Sequence, residues 1–494
     1  MKYPASHIPY LENLQALVSG DSQKPAGVFL IGGFLRDYLL GRESRDFDFA
    51  VQTGAVALAE KFAKQIRGAF VLLDVEHGCG RVVKKIDGKI TTFDFADYRA
   101  KTLRGDLAHR DFTINTLAVD LLKIAGKNSL PLLIQDQQQG LRDLKLKTIR
   151  MVSAAAMRED PLRMLRAFSL RAAVGFKIER TTLARIRVDA DLIRAVSMER
   201  VRDELFKILA SPRAAAVLTE MDRAGLLAKI IPQITVMGKC AQGGYHHLDV
   251  WKHTLESVRQ LENILNRVSQ NPDVAVYLET PVAANHSRLA LIRLALLLHD
   301  IGKPETRRFE EGRFTFHSHE HAGKRVCRYV AKQLKLSVPE RHSLENLVLL
   351  HLRPGYLANF RQPTSRAVYR FMRDAGELAP AVLILAMADQ AATAGPLTTK
   401  KDAAHHTRIC EQVLEQYFAK LREKPFVRLI NGDDLIRGLR LTPSPLFARI
   451  LSAVEEQQAL GKIKTKDEAL AVAKGIAEKL RGRNMGRGRG KREN

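Results

Sequence analysis

A chain of 494 residues is too long for one hydrophobic core and predicts three or four domains. Its 79 Lys and Arg against 54 Asp and Glu leave a net charge of +25, which calls for a polyanionic partner (RNA, DNA or an anionic surface) held with salt-sensitive affinity. Four scattered cysteines without a Cys-x-x-Cys pair argue against a disulfide framework or zinc knuckle and for a reducing cytoplasm, and the most apolar long window, 289–301, is broken by Arg293, so no membrane span is expected.

Residues 1–25 read as a short lead-in without the apolar core of a signal peptide. From 26 to 150, short β-branched and aromatic runs at 28–31, 46–51, 69–73, 81–85 and 90–95 alternate with helical patterns, which predicts an α/β head on a small mixed sheet. The first run ends in Gly32-Gly33, a turn that lets backbone approach a triphosphate, with a helix start behind it to face the negative charge. In the second, Asp46 and Asp48 alternate with Phe47 and Phe49. Positions i and i+2 of a strand share a face roughly 6.6–7 Å apart along the chain. Two carboxylates so placed can share divalent ions ~3.5–4 Å apart, the arrangement that handles attacking and leaving oxygens in phosphoryl transfer.

From 151 to 240 strand signals vanish and amphipathic helices are expected; 241–400 is helical and holds most of the histidines; 401–480 is helical again, broken at Asn431-Gly432-Asp433-Asp434 and Pro443-Ser444-Pro445. The stretch 481–494 alternates Arg or Lys with Gly and is expected to be disordered, either an electrostatic arm for RNA or a solvated tail.

The order Gly32-Gly33, Asp46-Phe47-Asp48 resembles the signature of polymerase-β-like nucleotidyltransferases, in particular the class II tRNA nucleotidyltransferase and bacterial poly(A) polymerase family. The run His109-Arg110-Asp111-Phe112-Thr113-Ile114-Asn115 resembles the family's Arg-Arg-Asp-Phe-Thr-Ile-Asn motif, with His109 for the first Arg. The resemblance implies Asp46, Asp48 and Asp94 as catalytic carboxylates with Mg²⁺ on Asp46 and Asp48. It implies nucleotide contacts from Gly32, Gly33, Arg36, Asp37, Arg110, Asp111 and Asn115. Arg110 suits a triphosphate clamp because a guanidinium pairs bidentately with phosphate oxygens. A hinge is implied near 136–150, where Asp136-Gln137 stands in place of the family's Asp-Pro.

In Arg158-Glu159-Asp160-Pro161-Leu162-Arg163, Asp160 and Arg163 are three apart and share a helix face. A carboxylate accepting from an exocyclic amine and a guanidinium donating to a ring nitrogen would bind cytosine or adenine and repel guanine and uracil, with roughly 1–3 kcal/mol of discrimination per good pair. Asp160 before Pro161 equally reads as a helix N-cap. The match to the family's Glu-Asp-x-x-Arg element implies the base-reading role, with Arg166 as a further nucleotide contact, and Ser197-Met198-Glu199-Arg200-Val201 resembles the motif that closes this neck.

His299-Asp300-Ile301-Gly302-Lys303, with His253 upstream and His319, His351 and Asp389 downstream, offers imidazole and carboxylate ligands from several helices, suited to a divalent transition metal or magnesium. The run resembles the HD phosphohydrolase superfamily, which implies His253, His299, Asp300, His319, His351 and Asp389 as ligands; His317 and His321 remain candidates, and Lys303 is placed to hold a phosphate.

The expected architecture is therefore an α/β nucleotidyltransferase head (26–150), an all-α neck (151–240), an HD metal-binding domain (241–400), a C-terminal helical tRNA-binding region (401–480) and a basic tail. The expected activity is addition of C and/or A to tRNA 3′ ends from CTP and ATP, with pyrophosphate released, in the cytoplasm. Only residues 95–105 separate Asp94 from Asp106, where full CCA-adding enzymes often carry a longer loop that helps switch from C to A; the shortened loop fits a CC-adding specialist and leaves terminal A addition open, so the same-class alternatives are a CC-adding enzyme, an A-adding enzyme and a poly(A) polymerase. Rivals of other classes are an HD phosphohydrolase with an RNA-binding head and a non-enzymatic RNA-binding protein.

Overall fold

The computed structural model describes residues 8–20, 27–124, 130–243, 248–283, 286–393, 395, 399–423 and 426–489, with side chains as far as 479. Two compact units, Met1–Pro232 and Gln233–Asn494, divide the chain.

The first unit is built on a six-stranded mixed sheet formed by β1 (Val28–Ile31), β2 (Asp46–Val51), β3 (Ala69–Asp74), β4 (Cys79–Ile86), β5 (Lys89–Asp97) and β6 (Ala118–Asp120). Their spatial order is β3-β4-β5-β2-β1-β6. β2 and β5 run parallel at its centre, in the register Phe47 to Phe93, Asp48 to Asp94 and Phe49 to Phe95. Alternation along both strands puts the phenylalanines on one face and the carboxylates on the other. The rings stack across the pair with centroids 5.3 Å (Phe47, Phe93) and 4.9 Å (Phe49, Phe95) apart, and Phe62 of helix Ala55–Ile66 meets Phe93 and Phe95 edge-on. Each such pair adds about 0.5–1.5 kcal/mol beyond its buried area, so one face of the sheet is locked and the other is free for chemistry.

After the sheet the unit is mainly helical, led by Leu162–Val174 and Met198–Ala210, which pack on each other. A two-residue parallel ladder, Thr148–Ile149 with Lys177–Ile178, interrupts the all-helical reading of the neck. Strands this short have no alternation to detect.

The second unit packs helices Val250–Val268, Arg288–Leu298, His319–Gln333, Val338–Leu350 and Ala379–Ala392 together. It also holds a hairpin, Arg308–Glu310 with Arg313–Thr315, that the helical reading missed; its turn residues Glu311 and Gly312 both have positive φ, 51° and 75°. A smaller core farther along is built on Leu435, Ile450, Val454 and Ala469. Asn431-Gly432-Asp433-Asp434 starts a helix as well as ending a loop: the Asn431 side chain accepts from the Asp434 N–H at 3.1 Å, and the Asp434 carboxylate accepts from the Asn431 N–H at 2.9 Å.

The basic tail departs from expectation. Helix Lys466–Arg489 runs through most of it, and only 490–494 lie outside the described residues. Once a helix is nucleated each further residue adds one bond, and Arg is a good helix former, which here offsets the glycine cost. Among the described residues no helix is long and apolar enough to cross a membrane.

Buried Glu340 closes the capping box at Ser337 and meets His286 Nδ1 at 2.6 Å. Burial opposes its charge, but His286 and Ser337 outweigh burial and hold the carboxyl down at about 2 against a usual 4.5. A depressed carboxylate stabilises the fold above its unfolded value and loses that contribution as pH falls from about 4.5 towards 2. Glu340→Gln is expected to lower unfolding free energy by about 2 kcal/mol at pH 7, with the gap to the parent narrowing as pH drops through that window in urea melts.

Candidate functional site

A cleft of about 520 Å³ opens on the carboxylate face of the first unit, within the range of ligand pockets. Its floor is Asp46 and Asp48 on β2, and one wall is the turn Gly32-Gly33. Gly32 has φ +78°, and a Cβ there would lie 2.7 Å from Asp48 Oδ2, so the close approach of turn and carboxylate requires glycine. Asp46 Oδ1 accepts from the Thr92 hydroxyl at 2.5 Å. Burial raises the Asp48 carboxyl, Asp94 and Asp46 add to that, and Arg110 and Arg166 work against it. Such an acidic pair, Asp46 exposed and Asp48 half-buried, fits a divalent cation.

Asp94 stands beside Asp48 in the sheet register, yet both its oxygens are engaged by Arg81, Nε and Nη2 each at 2.7 Å. Arg36 lies against Asp37 through Nε (3.1 Å) and Nη2 (2.7 Å) and donates through Nη1 to Asn115 Oδ1 at 2.7 Å. Asn115 in turn donates to Asp111 Oδ1 at 3.0 Å, and Asp111 Oδ2 faces Arg166 Nη2 at 3.1 Å. Burial pushes the Asp111 carboxyl up, but Arg166, Asn115 and the Phe112 N–H prevail and hold it below its ordinary value. Arg110 lines the cleft and pairs with Asp106 at 3.5 Å.

The neck residues join the same cleft. Asp160 combines the two readings open at the sequence level: Oδ1 accepts from the Leu162 N–H at 3.3 Å as a cap would, and Oδ2 meets Arg200 Nη2 at 3.0 Å beside the cleft. Buried Arg163 donates to the Ala156 carbonyl at 2.8 Å. His109 Nδ1 lies 3.1 Å from the Glu159 carboxylate, so the departure from the family's first Arg still leaves a polar contact to the neck. Arg99, Arg200 and Lys207 also line the cleft and were given no role from sequence; Arg200 was visible within the closing motif, whereas Arg99 follows a strand with no pattern around it.

A second cluster lies in the second unit. Two groups, His253 with His299 and Asp389, and Asp300 with His319 and His351, each keep their ligand atoms within 4.8 Å of one another. The Nδ1 atoms of His299, His319 and His351 sit against the carbonyls of Leu296 (2.8 Å), Phe316 (2.9 Å) and Val348 (2.6 Å), which turns each Nε2 inward. Buried His299 Nε2 has no hydrogen-bond partner and lies 3.3 and 3.4 Å from the Asp300 and Asp389 carboxylates. Carbonyl-oriented imidazoles around carboxylates fit a divalent metal. Burial disfavours charge on His299, but Asp300 and Asp389 push it up to about 10, while burial and His319 push His351 down to about 3. His319 joins the cluster and the His321 side chain is exposed. Lys303 is already held by Asp300 and Gln242, both at 2.7 Å.

Comparison with known proteins places these features. Residues 28–150 match the poly A polymerase head domain, 175–237 the probable RNA and SrmB-binding site of polymerase A, and 250–394 the HD domain. The chain is 33% identical to an A-adding tRNA nucleotidyltransferase of Deinococcus radiodurans over 93% of its own length and 97% of that protein's. It is 32% identical to a CC-adding tRNA nucleotidyltransferase of Thermus thermophilus, covering 90% and 93%. Its fold is similar to a solved CCA-adding enzyme in an apo form, with a TM-score of 0.62, 20% identity and coverage of 94% and 93%.

The glycine turn yields a controlled test. Gly32→Ala is expected to cost about 1–3 kcal/mol of backbone strain and to weaken nucleotide binding in the cleft at least about tenfold in titrations, by displacing Asp48. Gly54→Ala, also at positive φ (+83°) but with nothing within 4 Å, is expected to cost strain alone and leave nucleotide binding unchanged.

Proposed function

The chain belongs to the class II tRNA nucleotidyltransferase and bacterial poly(A) polymerase family, and on that premise we propose that it adds C and/or A to tRNA 3′ ends from CTP and ATP without a nucleic-acid template. The observation that carries this reading is the single cleft in which the Asp46–Asp48 pair, the glycine turn and the neck residues Asp160 and Arg163 meet. The acidic pair supplies the chemistry and the neck supplies the choice of base.

In this mechanism the tRNA 3′-hydroxyl oxygen attacks the α-phosphorus as its proton passes to water. A new P–O bond forms, the bond between the α-phosphorus and its bridging oxygen breaks, and pyrophosphate leaves. Asp46 and Asp48 would hold Mg²⁺, which when bound neutralises phosphate charge and favours the ionised hydroxyl. Asp94 lies beside Asp48 on the neighbouring strand, with both oxygens held by Arg81. The Gly32-Gly33 backbone, Arg110 and Arg166 receive the triphosphate, with Arg36, Asp37, Asp111 and Asn115 holding the surrounding network in place. Asp160 accepts from the exocyclic amine of C or A and Arg163 donates to the ring nitrogen; guanine and uracil present the opposite pattern to both. The connection from β5, ending at Asp97, to helix Leu103–Ala108 is short, which favours a specialist that contributes only part of the CCA end.

Primer extension tests both parts. A tRNA lacking its CCA end, offered CTP, ATP or both, is expected to be extended with C, A or both, and Asp48→Asn is expected to reduce the rate at least about a thousandfold by removing electrostatic stabilisation of the transition state. Asp160→Ala is expected to narrow the preference for C and A over G and U by about tenfold. Extension by the Asp48→Asn chain at the parent rate would refute the assignment.

We propose further that the His299–Asp300 cluster holds a divalent transition metal. Elemental analysis of the purified chain is expected to find it, and to find it lost in His299→Ala while primer extension persists.

A further inference from the structure

Arg81, Asp94 and Asp48 occupy one row across three adjacent strands: β4 pairs Arg81 with Asp94, and β5 pairs Asp94 with Asp48. The Arg81 guanidinium takes both Asp94 oxygens in a bidentate grip at 2.7 Å each, the strong and geometrically fixed form of the pair. Asp46, by contrast, accepts from one Thr92 hydroxyl, and Asp48 faces the glycine turn and the cleft. Asp94 does not line that cleft, although Asp46 and Asp48 do. A metal could take Asp94 only by displacing an N–H from one of its two oxygens, leaving the guanidinium partly unpaired beside the incoming cation.

We propose that Arg81 is a positioning residue of the polymerase site, which withholds Asp94 from the metals and leaves Asp46 and Asp48 as the protein's carboxylate ligands. The inference rests on the assignment of a metal site to those two residues. Arg81 also offsets one of the three negative charges carried by Asp46, Asp48 and Asp94, so this group of side chains presents two net negative charges to a divalent ion. Metal affinity is thereby set from β4, a strand that supplies no ligand.

The test is Mn²⁺ binding to the full chain, read from the loss of the free-ion paramagnetic resonance signal. Subtracting the Asp48→Asn isotherm isolates the head from the histidine cluster, which is common to every variant. Arg81→Gln frees Asp94 and is expected to tighten the head component about tenfold, whereas the charge-balanced Arg81→Gln/Asp94→Asn double variant is expected to bind within about twofold of the parent. Arg81→Lys, which keeps the charge but loses the fork, is expected to fall between parent and Arg81→Gln and guards against misfolding of the glutamine variant. A double variant weakened tenfold would make Asp94 a ligand in the parent and overturn the inference, as would unchanged affinity in both Arg81→Gln and Arg81→Lys, the result of a merely structural ion pair. If Asp48→Asn and the parent bind Mn²⁺ alike, the metal-site assignment itself fails, and that outcome is separable from the others.

Discussion

The polymerase cleft depends on the alternation of phenylalanine and acidic side chains along two parallel strands held in register. Phe47, Phe49, Phe93 and Phe95 stack beneath helix Ala55–Ile66, and this fixes the rotation of β2 and β5 about their own axes. Asp46, Asp48 and Asp94 are then obliged to the opposite face. A one-residue slip would bury the carboxylates under Phe62 and expose the rings, so the aromatic packing enforces the placement of the charges. Stability and chemistry are here two faces of one constraint.

Charge near this sheet is organised in linked side chains of opposite sign, bridged at one point by a neutral amide. Asp37, Arg36, Asn115, Asp111 and Arg166 are linked link by link from the first helix of the head to helix Leu162–Val174. The chain runs from part-buried Arg36 and Asp37 through buried Asp111 to Arg166 at the surface, and Asp111 is tolerated inside because it has partners on both sides, so removing one would leave its carboxylate partly unpaired in a low-dielectric setting. The histidine cluster follows the same logic with different chemistry: backbone carbonyls fix the imidazole orientation, and carboxylates supply the compensating charge.

The residue pattern was most legible where side-chain period and chemistry coincide. Strands carrying Phe-Asp-Phe alternation, the glycine turn, the Arg110–Asn115 run and the His299-Asp300 pair could all be located from residue order, because each depends on spacing along one element. What escaped depends on pairing between elements. Arg81 is one basic residue in an unremarkable strand until β5 is laid beside it, and Arg200 acquires meaning only when it meets Asp160. The ladder Thr148–Ile149 with Lys177–Ile178 is too short to carry a period, and the hairpin at Glu311-Gly312 sits between helices that dominate any averaged window. The tail reads as disordered from composition, a property that ignores the helix feeding into it, whose start is capped where Thr465 Oγ1 accepts from the Glu468 N–H at 3.3 Å.

The resting contacts of Asp160 and Arg163 have a consequence for fidelity under the proposed reading. Arg200 holds Asp160 Oδ2, whereas the Ala156 carbonyl takes one of the five N–H donors of Arg163, so an arriving nucleobase enters as a competitor of Arg200 for the Asp160 carboxylate. Its net gain at Asp160 is the difference between its own hydrogen bond and the one Arg200 gives up. A base with the wrong edge therefore forfeits more than the contacts it fails to make: it leaves the intramolecular alternative as the better bargain, and the side chains return to it. Self-engagement thus acts as an internal standard against which every candidate nucleotide is weighed.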